Sequence, residues 1–453
     1  MEPYRYHVFI CDQKKPEGVP CCPARGSAAT LEALRKEVAA RGLLDEVQIT
    51  TCGSLGLCER GLNLVVYPEG IWYSGVRPED VPELVESHFV HGRPVDRLVN
   101  HDAAVVKTEI QSNRAKFMAA QRARDASGML PDDLNQTLRG YMESRALLTA
   151  LELDIFTAVG SGATGAEVAR KISTHPRATE MLLNALTAMG LLLKQQGVFH
   201  TTPTTARYFT EGSKDNARHG LIHTANIWHR WSNLTESVRA GTAVSHEEMA
   251  QRGDDWTKPF IAAMHRNAAE RAPLVVNAVG TKPGERLLDV GGGSGAYSIA
   301  FAKANESLQA TLLDLPTVLP IAQRHINEAG LAEHINTRAG DLRRDPLGND
   351  FTLVLVSAIC HMLSPEENQD LLRRCFKALA PQGRVVIQDF ILDADKTTPK
   401  QAALFALNML VGTPAGSTYS YDEYGTWLRA AGFPEVREIR LPGPSSLMVG
   451  VRG

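Results

Sequence analysis

Residues 287–298, LLDVGGGSGAYS, join a run of apolar residues to a cluster of glycines. Glycines directly after a strand let the backbone approach a ligand closely, because no Cβ atom stands in the way. Interpreted as G-x-G-x-x-A from Gly291 and Gly293, the turn suits a dinucleotide. Interpreted as D-x-G-x-G-x-G from Asp289 to Gly295, it suits S-adenosylmethionine. The glycines alone leave both interpretations open.

Two acidic residues end the next two segments after the glycine turn. Asp314 ends QATLLD, where a carboxylate can accept hydrogen bonds from both ribose hydroxyls. Asp341, in AGDLRRD, is placed to hold an adenine amino group. Each acid alone could be an ordinary cap at a strand end, but their order after the glycine turn favours a cofactor that contains adenosine.

His361 follows the apolar segment 351–359 in SAICHMLSPEEN. It is therefore predicted at the carboxyl end of a strand, the edge of an open α/β sheet where ligands bind. This position places the imidazole beside the expected cofactor.

Cysteines are concentrated at the start of the chain. Of the seven, five lie in the first sixty residues: Cys11, Cys21, Cys22, Cys52 and Cys58. An odd and modest number in a chain of this length argues against a disulfide framework. The glycine-containing stretch TCGSLGLCERG, residues 51–61, therefore raises the question of a metal site.

Residues 1–100 carry the pattern of one compact domain. Strands are predicted over 6–11 and 47–50, a helix over 29–43, then a hairpin with a Glu-Gly turn and the helix DVPELVESHFV. This gives the order β-α-β-β-β-α. Residues 101–131 are polar and helix-prone, and we expect a helical linker there.

The remaining residues predict a helical part and an α/β part. Residues 132–272 are largely helical, and two helices followed by a hairpin form a winged-helix pattern, which raises DNA binding. The would-be recognition helix, 176–190, carries one Arg and one Glu, so it could neutralise almost no phosphate. Residues 273–453 alternate helices with apolar strands typical of a parallel sheet. The fold class expected is α/β multidomain.

Composition limits the partners. The 453 residues include 43% apolar and 22% charged residues, with a formal net charge of −3, so nucleic acid is not expected. No apolar run approaches the ~20 residues of a membrane helix, and the start lacks the pattern of a signal peptide. We therefore expect a cytoplasmic protein that does not bind membranes.

Residues 132–453 resemble the small-molecule O-methyltransferase family that includes the caffeic acid and acetylserotonin methyltransferases. The matching stretches are LLDVGGGSG, LLDLPTV, AGDL, ICHMLS, PQGRVVIQDFIL, NMLVGTPAG and WLRAAGF. The resemblance implies a helical dimerisation domain over 132–272 that also lines the acceptor pocket. It also implies a Rossmann-like class I methyltransferase domain over 273–453, and hence a homodimeric S-adenosylmethionine-dependent O-methyltransferase.

The resemblance assigns roles to individual residues. His361 matches the general base of the family and Asp389 the acid that orients it. The predicted cofactor residues are Met264, Asp289, Gly291, Gly293, Gly295, Asp314, Leu315, Asp341 and Leu342. The predicted acceptor residues are Trp228, Trp231, Asn408, Met409 and Thr413, which suggest a small, flat, largely apolar acceptor. His219, His223 and His229 have helical spacing, but the interleaved tryptophans favour a pocket or core over a metal site.

Three positions depart from the family. Met362 stands where an acid commonly follows the base, and Thr418 and Tyr419 stand where the plant enzymes carry an acid and an arginine. The departures leave His361 with fewer groups to anchor it. The alternative function is therefore a redox protein whose Rossmann-like half performs an oxidative or decarboxylative reaction without methyl transfer.

Residues 5–100 resemble the thioredoxin-like [2Fe-2S] ferredoxins through HVFIC, CCPARG, SLGLCERG, VVYPEGIWYSGV and ESHFVHGRPVDRLV. Such clusters need four thiolates. Cys11, Cys22 and Cys58 match the family's ligands, but Ser54 occupies the third position. We therefore expect Cys52 to replace it as the fourth ligand, and a redox partner would follow from a bound cluster. A fold retained without its cluster is the other possibility.

Overall fold

The computed structural model describes residues 3–13, 15, 20–126, 128, 130–244 and 254–453. The chain divides into two compact units, Met1–Gly140 and Tyr141–Gly453.

The first unit is built on a four-stranded sheet. Its strands are β1 (Tyr6–Cys11), β2 (Val47–Cys52), β3 (Asn63–Tyr67) and β4 (Ile71–Ser74). They are arranged in the order β2-β1-β3-β4, with β1 and β2 parallel and the other two pairs antiparallel. Strand β2 runs two residues further than predicted, because the ladder with β1 continues to the pair Cys11 and Cys52.

Three helices complete the first unit. They are α1 (Ser27–Ala40), α2 (Val81–Leu84), which continues as a π-helical segment over Val85–Val90, and α3 (Ala103–Ala126). Helix α1 ends before the predicted residue 43 because Gly42 adopts φ +70°, a conformation that terminates a helix. Apolar side chains of α1, α2 and the sheet form one core. The strands and helices follow each other in the predicted order β-α-β-β-β-α.

The residues predicted as a linker form helix α3, which packs on the loop that carries Cys58. Asn113 Nδ2 donates to the carbonyl of Gly56 at 2.8 Å, and Arg60 pairs with Glu109. Ile110 lies against Gly56, whose φ of +83° is accessible to glycine. The helix therefore covers this loop.

The second unit begins with a mainly helical region. It contains α4 (Asp132–Glu152), in which the first unit ends, α5 (Ile155–Val159), α6 (Gly165–Lys171), α7 (Pro176–Ala188), α8 (Pro203–Phe209), α9 (Arg218–Trp231), α10 (Leu234–Ala240) and α11 (Asp254–Val279). A small sheet, ordered β5-β7-β6, joins β5 (Ala163–Thr164), β6 (Leu192–Gln195) and β7 (Val198–Thr201). Helices α6 and α7 followed by the β6–β7 hairpin supply the expected winged-helix elements.

A seven-stranded sheet carries the rest of the chain. Its strands are β8 (Arg286–Val290), β9 (Gln309–Asp314), β10 (Ile335–Ala339), β11 (Phe351–Ser357), β12 (Leu379–Asp389), β13 (Glu435–Ile439) and β14 (Ser446–Val451). The order is β10-β9-β8-β11-β12-β14-β13, and the first five strands are parallel. Strand β14 inserts antiparallel between β12 and β13, which makes the sheet mixed rather than purely parallel.

Helices cover this sheet. They are α12 (Ala296–Ala304), α13 (Leu319–Glu328), α14 (Pro365–Ala378), α15 (Lys400–Gly412) and α16 (Tyr421–Ala431). Two apolar clusters form the core: one includes side chains of α11, α12 and α13, and the other includes those of α14 and α16. Both clusters contain buried side chains of the sheet, which explains why its central strands are apolar without alternation.

In the described part of the chain, we find no helix with the length and apolar character needed to span a membrane.

Candidate active site

The glycine turn connects β8 to α12. Gly291 has φ +69°, and a Cβ atom there would lie 2.5 Å from Cδ1 of Ile359. Gly293 has φ +57° and donates its N–H to Asp314 Oδ2 at 2.7 Å. Both positions therefore require glycine or strongly favour it, as expected for a turn that brings backbone close to a ligand.

Two carboxylates, Asp289 and Asp314, contact this turn. Asp289 is buried and accepts a hydrogen bond from Ser298 Oγ at 2.7 Å, and burial raises its pKa to about 6. Asp314 accepts hydrogen bonds from the N–H groups of Gly293 and Leu315, both at 2.7 Å. Burial raises the pKa of Asp314 as well, although it remains partly accessible. Asp289 is thus buried next to the turn, whereas Asp314 is hydrogen-bonded to the turn and partly accessible.

The remaining predicted cofactor residues lie after β10 and on α11. Leu342, after β10, would lie 3.3 Å from a Cβ atom at Gly291. Its neighbour Asp341 accepts a hydrogen bond from the N–H of Arg343 at 2.9 Å. Met264 is half-buried on α11, and the next residue on that helix, His265, contacts the turn. Of these residues, the structure shows Leu342 in contact with the turn.

His361 and Asp389 form a buried pair at the ends of β11 and β12. His361 Nδ1 lies 2.6 Å from Asp389 Oδ1, and the His361 N–H donates to Asp389 Oδ2 at 3.1 Å. Since a carboxylate only accepts, Nδ1 carries a proton, and in the neutral ring the lone pair therefore lies on Nε2. The arrangement leaves Nε2 able to accept a proton.

Aromatic side chains surround this pair. Phe405 of α15 meets the His361 ring edge-on at 4.9 Å between centroids, and it stacks on Phe390 at 4.1 Å. Tyr424 donates a longer hydrogen bond of 3.4 Å to Asp389 Oδ2. The imidazole is thus fixed by one carboxylate and packed between apolar rings.

The predicted acceptor residues lie on α9 and α15 and in the loop after α15. Trp231 Nε1 donates to Asn408 Oδ1 at 2.9 Å. Thr413 donates to the carbonyl of Met409 and accepts from the N–H of Gly416, at 2.8 and 2.9 Å. A Cβ atom at Gly416 would collide with the carbonyl oxygen of His361, so this loop packs directly on the histidine.

Trp228 lies one helical turn before Trp231, and the guanidinium of Arg145 lies 5.8 Å from the centre of its ring. The structure therefore joins Trp231 to Asn408, places Thr413 in the loop that packs on His361, and places Trp228 beside Arg145.

The three residues that differ from the family pattern, Met362, Thr418 and Tyr419, make structural contacts near His361. Thr418 Oγ1 donates to the carbonyl of Ala402 at 3.1 Å, and the Tyr419 hydroxyl donates to the carbonyl of Leu363 at 2.5 Å. Both side chains are buried, and Met362 packs against the core of the sheet domain. These residues support the fold around His361, while Asp389 holds its ring.

In the first unit, Cys11, Cys22 and Cys58 are buried, and Lys15 and Ser54 lie beside Cys58. Cys11 and Cys22 are buried and hydrogen-bonded to each other. The pKa of Cys11 is lowered to about 6, first by the Cys22 thiol and also by two backbone hydrogen bonds and Lys15. The hydrogen bond to Cys11 and burial raise the pKa of Cys22. The pair therefore favours a thiolate on Cys11.

Cys58 contacts a lysine and a serine. Its Sγ is 3.1 Å from Lys15 Nζ and 3.4 Å from Ser54 Oγ. Cys52 faces Cys11 across the β1–β2 ladder, is partly exposed, and has a pKa raised by burial. The structure thus places Ser54, rather than Cys52, next to Cys58.

Within the described ranges, no three His, Cys, Asp or Glu side chains group closely enough to bind a single metal ion. His223 packs edge-on against Phe260 at 5.1 Å, and His229 is exposed. The side chain of His219 lies outside the described residues.

Several contacts of these sites escape sequence reasoning. Ser298, Phe405 and Tyr424 touch predicted residues, and only Ser298 belongs to a motif recognised in the sequence. Ser298 could have been found from its position one helical turn after the glycines. Tyr424 lies 35 residues from Asp389, and only the tertiary fold joins them.

Comparison with known proteins identifies two matching domains. The profile of an O-methyltransferase domain matches residues 231–434, and that of an O-methyltransferase dimerisation domain matches residues 135–211. Both matches lie in the helical and mixed-sheet parts of the chain.

Individual relatives agree. The 3-hydroxy-5-methyl-1-naphthoate 3-O-methyltransferase of Streptomyces sahachiroi is 33% identical over 331 residues, 71% of this chain and 95% of the relative. Acetylserotonin O-methyltransferase of Bos taurus is 28% identical, covering 68% of this chain and 94% of its own. The solved structure of PigF with SAH is 26% identical, with a TM-score of 0.66 over 72% of this chain and all of PigF.

The fold and the glycine turn define a class I methyltransferase with a helical dimerisation domain. The chain belongs to the O-methyltransferase family, and it is an S-adenosylmethionine-dependent O-methyltransferase.

Proposed function

We propose that this enzyme methylates a hydroxyl group of a small aromatic acceptor, with His361 as general base. The observation that carries the proposal is the buried His361–Asp389 pair at the carboxyl ends of β11 and β12. The glycine turn follows β8, at the same edge of the sheet. Relatives named for 3-hydroxy-5-methyl-1-naphthoate and for acetylserotonin support an aromatic acceptor. The tryptophan-bearing helix α9 and the rings around His361 support a flat, largely apolar one.

The residues around the turn fit S-adenosylmethionine, since the glycines leave room for it and Asp314 offers a carboxylate for ribose hydroxyls. Gly291, Gly293 and Asp314 would hold the cofactor, with Met264, Asp341 and the neighbouring leucines around the adenosine. S-adenosylmethionine supplies a methyl group already activated by its sulfonium.

The chain must therefore deprotonate and align the acceptor. His361 Nε2 takes the hydroxyl proton, and Asp389 stabilises the resulting imidazolium through Nδ1. A positioned base contributes typically ~10²–10⁴ to the rate, and alignment can contribute up to roughly 7–11 kcal/mol. Packing of the 413–416 loop on His361 keeps its backbone in place for both tasks.

The test is methyl transfer from labelled S-adenosylmethionine to a panel of hydroxynaphthoates and hydroxyindoles. We expect labelled methyl ethers, and no product from the same compounds with the hydroxyl already methylated. Oxidised or decarboxylated products without methyl transfer would contradict the proposal and favour the redox alternative, which the family relationship does not favour.

We also propose a homodimer that pairs through the dimerisation domain. Helix α4 exposes an apolar stripe of Leu134, Leu138, Tyr141 and Met142, whose side chains are 45–57% exposed at helical spacing. The dimerisation profile begins at residue 135, within this helix. These two observations support α4 as part of the interface.

Leu138→Glu is expected to convert the dimer to a monomer, because the interface would bury an unpaired charge. Light scattering at micromolar concentration measures the mass. Gln136→Glu, which lies on another face of α4, should leave the dimer intact. A wild-type protein that is already monomeric would contradict the proposal.

We further propose a [2Fe-2S] cluster held by Cys11, Cys22, Cys52 and Cys58. Cys11, Cys22 and Cys58 are supported as ligands because their thiols are buried, and Cys11 also because its surroundings favour a thiolate. Cys52 shares a face of the sheet with Cys11. Ser54 is the rival ligand because it lies beside Cys58, but a hydroxyl is a poor ligand for a soft iron–sulfur site.

Cys52→Ala is expected to abolish the cluster, and the matched Ser54→Ala to spare it. Iron and sulfide content and visible absorption after anaerobic purification measure the result. The reverse outcome would assign Ser54 as the ligand. Wild-type protein without iron would indicate a domain that retains the fold alone.

A further inference from the structure

His265 of α11 contacts the glycine turn through a side chain. Its Nδ1 lies 2.8 Å from Ser294 Oγ, and Ser294 is a buried residue of the turn itself. The hydrogen bond joins residues 29 positions apart in the chain. It ties the helix that carries Met264 to the backbone predicted to hold the cofactor.

A second histidine packs on the first. His325 of α13 stacks on His265 with 4.1 Å between ring centroids and an angle of 8° between the planes. Such close parallel packing leaves little space for water between the rings. A positive charge on either ring therefore disfavours protonation of the other ring by electrostatic repulsion.

The charged groups around the stack are few. Glu328 Oε2 lies 3.5 Å from His325 Nδ1, and Arg324 is the other charged neighbour of both rings. Burial is the main cause that lowers the pKa of each histidine, followed for His265 by the charge of His325. Both rings are thus neutral at neutral pH.

We propose that His265 is a positioning residue for S-adenosylmethionine: its neutral imidazole fixes Ser294 and the glycine turn, and its protonation weakens cofactor binding. The proposal rests on cofactor binding at this turn. A proton on His265 adds a positive charge beside the turn and makes Nδ1 a donor, so that Ser294 Oγ can only accept from it. Since the sulfonium cofactor is itself cationic, the added charge opposes binding.

The direction in which cofactor affinity changes with pH follows from the linkage between proton binding and cofactor binding. A histidine that must be neutral to bind loses affinity as pH falls, by at most tenfold per pH unit for one proton. Asp289, Asp314 and the amino group of the cofactor also titrate, so the pH dependence of the wild type alone decides nothing. The informative quantity is the difference between the wild type and a variant without the imidazole.

His265→Asn supplies this comparison, because the amide places a polar atom near the position of Nδ1 and does not titrate. Calorimetry measures S-adenosylmethionine affinity at pH 7.5 and pH 5.5. We expect the two proteins to agree within about threefold at pH 7.5, and the wild type to lose more affinity than the variant at pH 5.5, by up to about tenfold. Equal losses in both proteins would overturn the proposal.

A second variant keeps the test decisive if His265→Asn folds poorly. His325→Gln removes the charge that opposes protonation of His265, so the acid loss of affinity should begin at higher pH; an unchanged profile would overturn the proposal. Asp314→Ala separates the two proposals. If it binds as tightly as the wild type, cofactor binding at this turn fails; if it alone loses affinity, only the role of His265 fails.

Discussion

Replacing His361 with alanine is expected to lower kcat for methyl transfer by about 10²–10⁴, with little change in cofactor affinity. The reason is geometric: Asp389 holds Nδ1 at 2.6 Å, so Nε2 is the ring atom free to take the acceptor proton. Without the imidazole, the hydroxyl must lose its proton to water. Single-turnover kinetics with saturating cofactor measures the chemical step separately from product release.

Two further variants sharpen this experiment. Asp389→Asn should lower kcat in the same direction, because an amide can donate to Nδ1 and thereby place the imidazole proton on Nε2. His101→Ala, at an exposed histidine of the first unit, is the matched control and should retain full activity. If the His361 variant keeps its turnover, the acceptor must reach the enzyme already ionised or lose its proton to another group.

Asp314→Ala is expected to weaken S-adenosylmethionine binding by about two orders of magnitude. Two ribose hydroxyls would lose a charged acceptor, and hydrogen bonds to charged groups contribute ~1.5–3 kcal/mol each. The substitution also removes the acceptor of the Gly293 N–H, so the turn itself becomes less ordered. Calorimetric titration with S-adenosylhomocysteine measures the affinity without turnover.

The control for this variant is Asp422→Ala, which removes an exposed carboxylate at the start of α16. It should bind the cofactor like the wild type. Thermal unfolding of both variants separates a lost contact from a lost fold. Undiminished affinity in the Asp314 variant would exclude this carboxylate as the ribose acceptor.

Local sequence patterns predicted the strands and the turn that build the cofactor site. Apolar runs such as RLLDV can be buried on both faces only inside a sheet, and the glycines at 291–295 mark a turn that side chains would obstruct. The position of Asp314 followed from the same strand periodicity. These features depend on residues that are close together in the chain, so a single sequence is enough to predict them.

Contacts between distant residues could not be predicted in this way. The partnership of His361 with Asp389 spans 28 residues and was predicted only through resemblance to a family. The stack of His265 on His325 and the insertion of β14 beside β12 depend on how whole elements pack. The sequence positions of Ser54 and Cys52 likewise do not show which one lies beside Cys58, because the end of β2 decides it.

The ends of five neighbouring parallel strands, β10, β9, β8, β11 and β12, carry the residues proposed for the cofactor and for proton transfer, except Met264 of α11. The residues assigned to the acceptor lie instead on two helices, α9 and α15, and in the loop after α15. The two sets of proposed residues thus lie on separate elements. We expect substitutions at Trp228 or Asn408 to change the choice of acceptor more than the affinity for the cofactor.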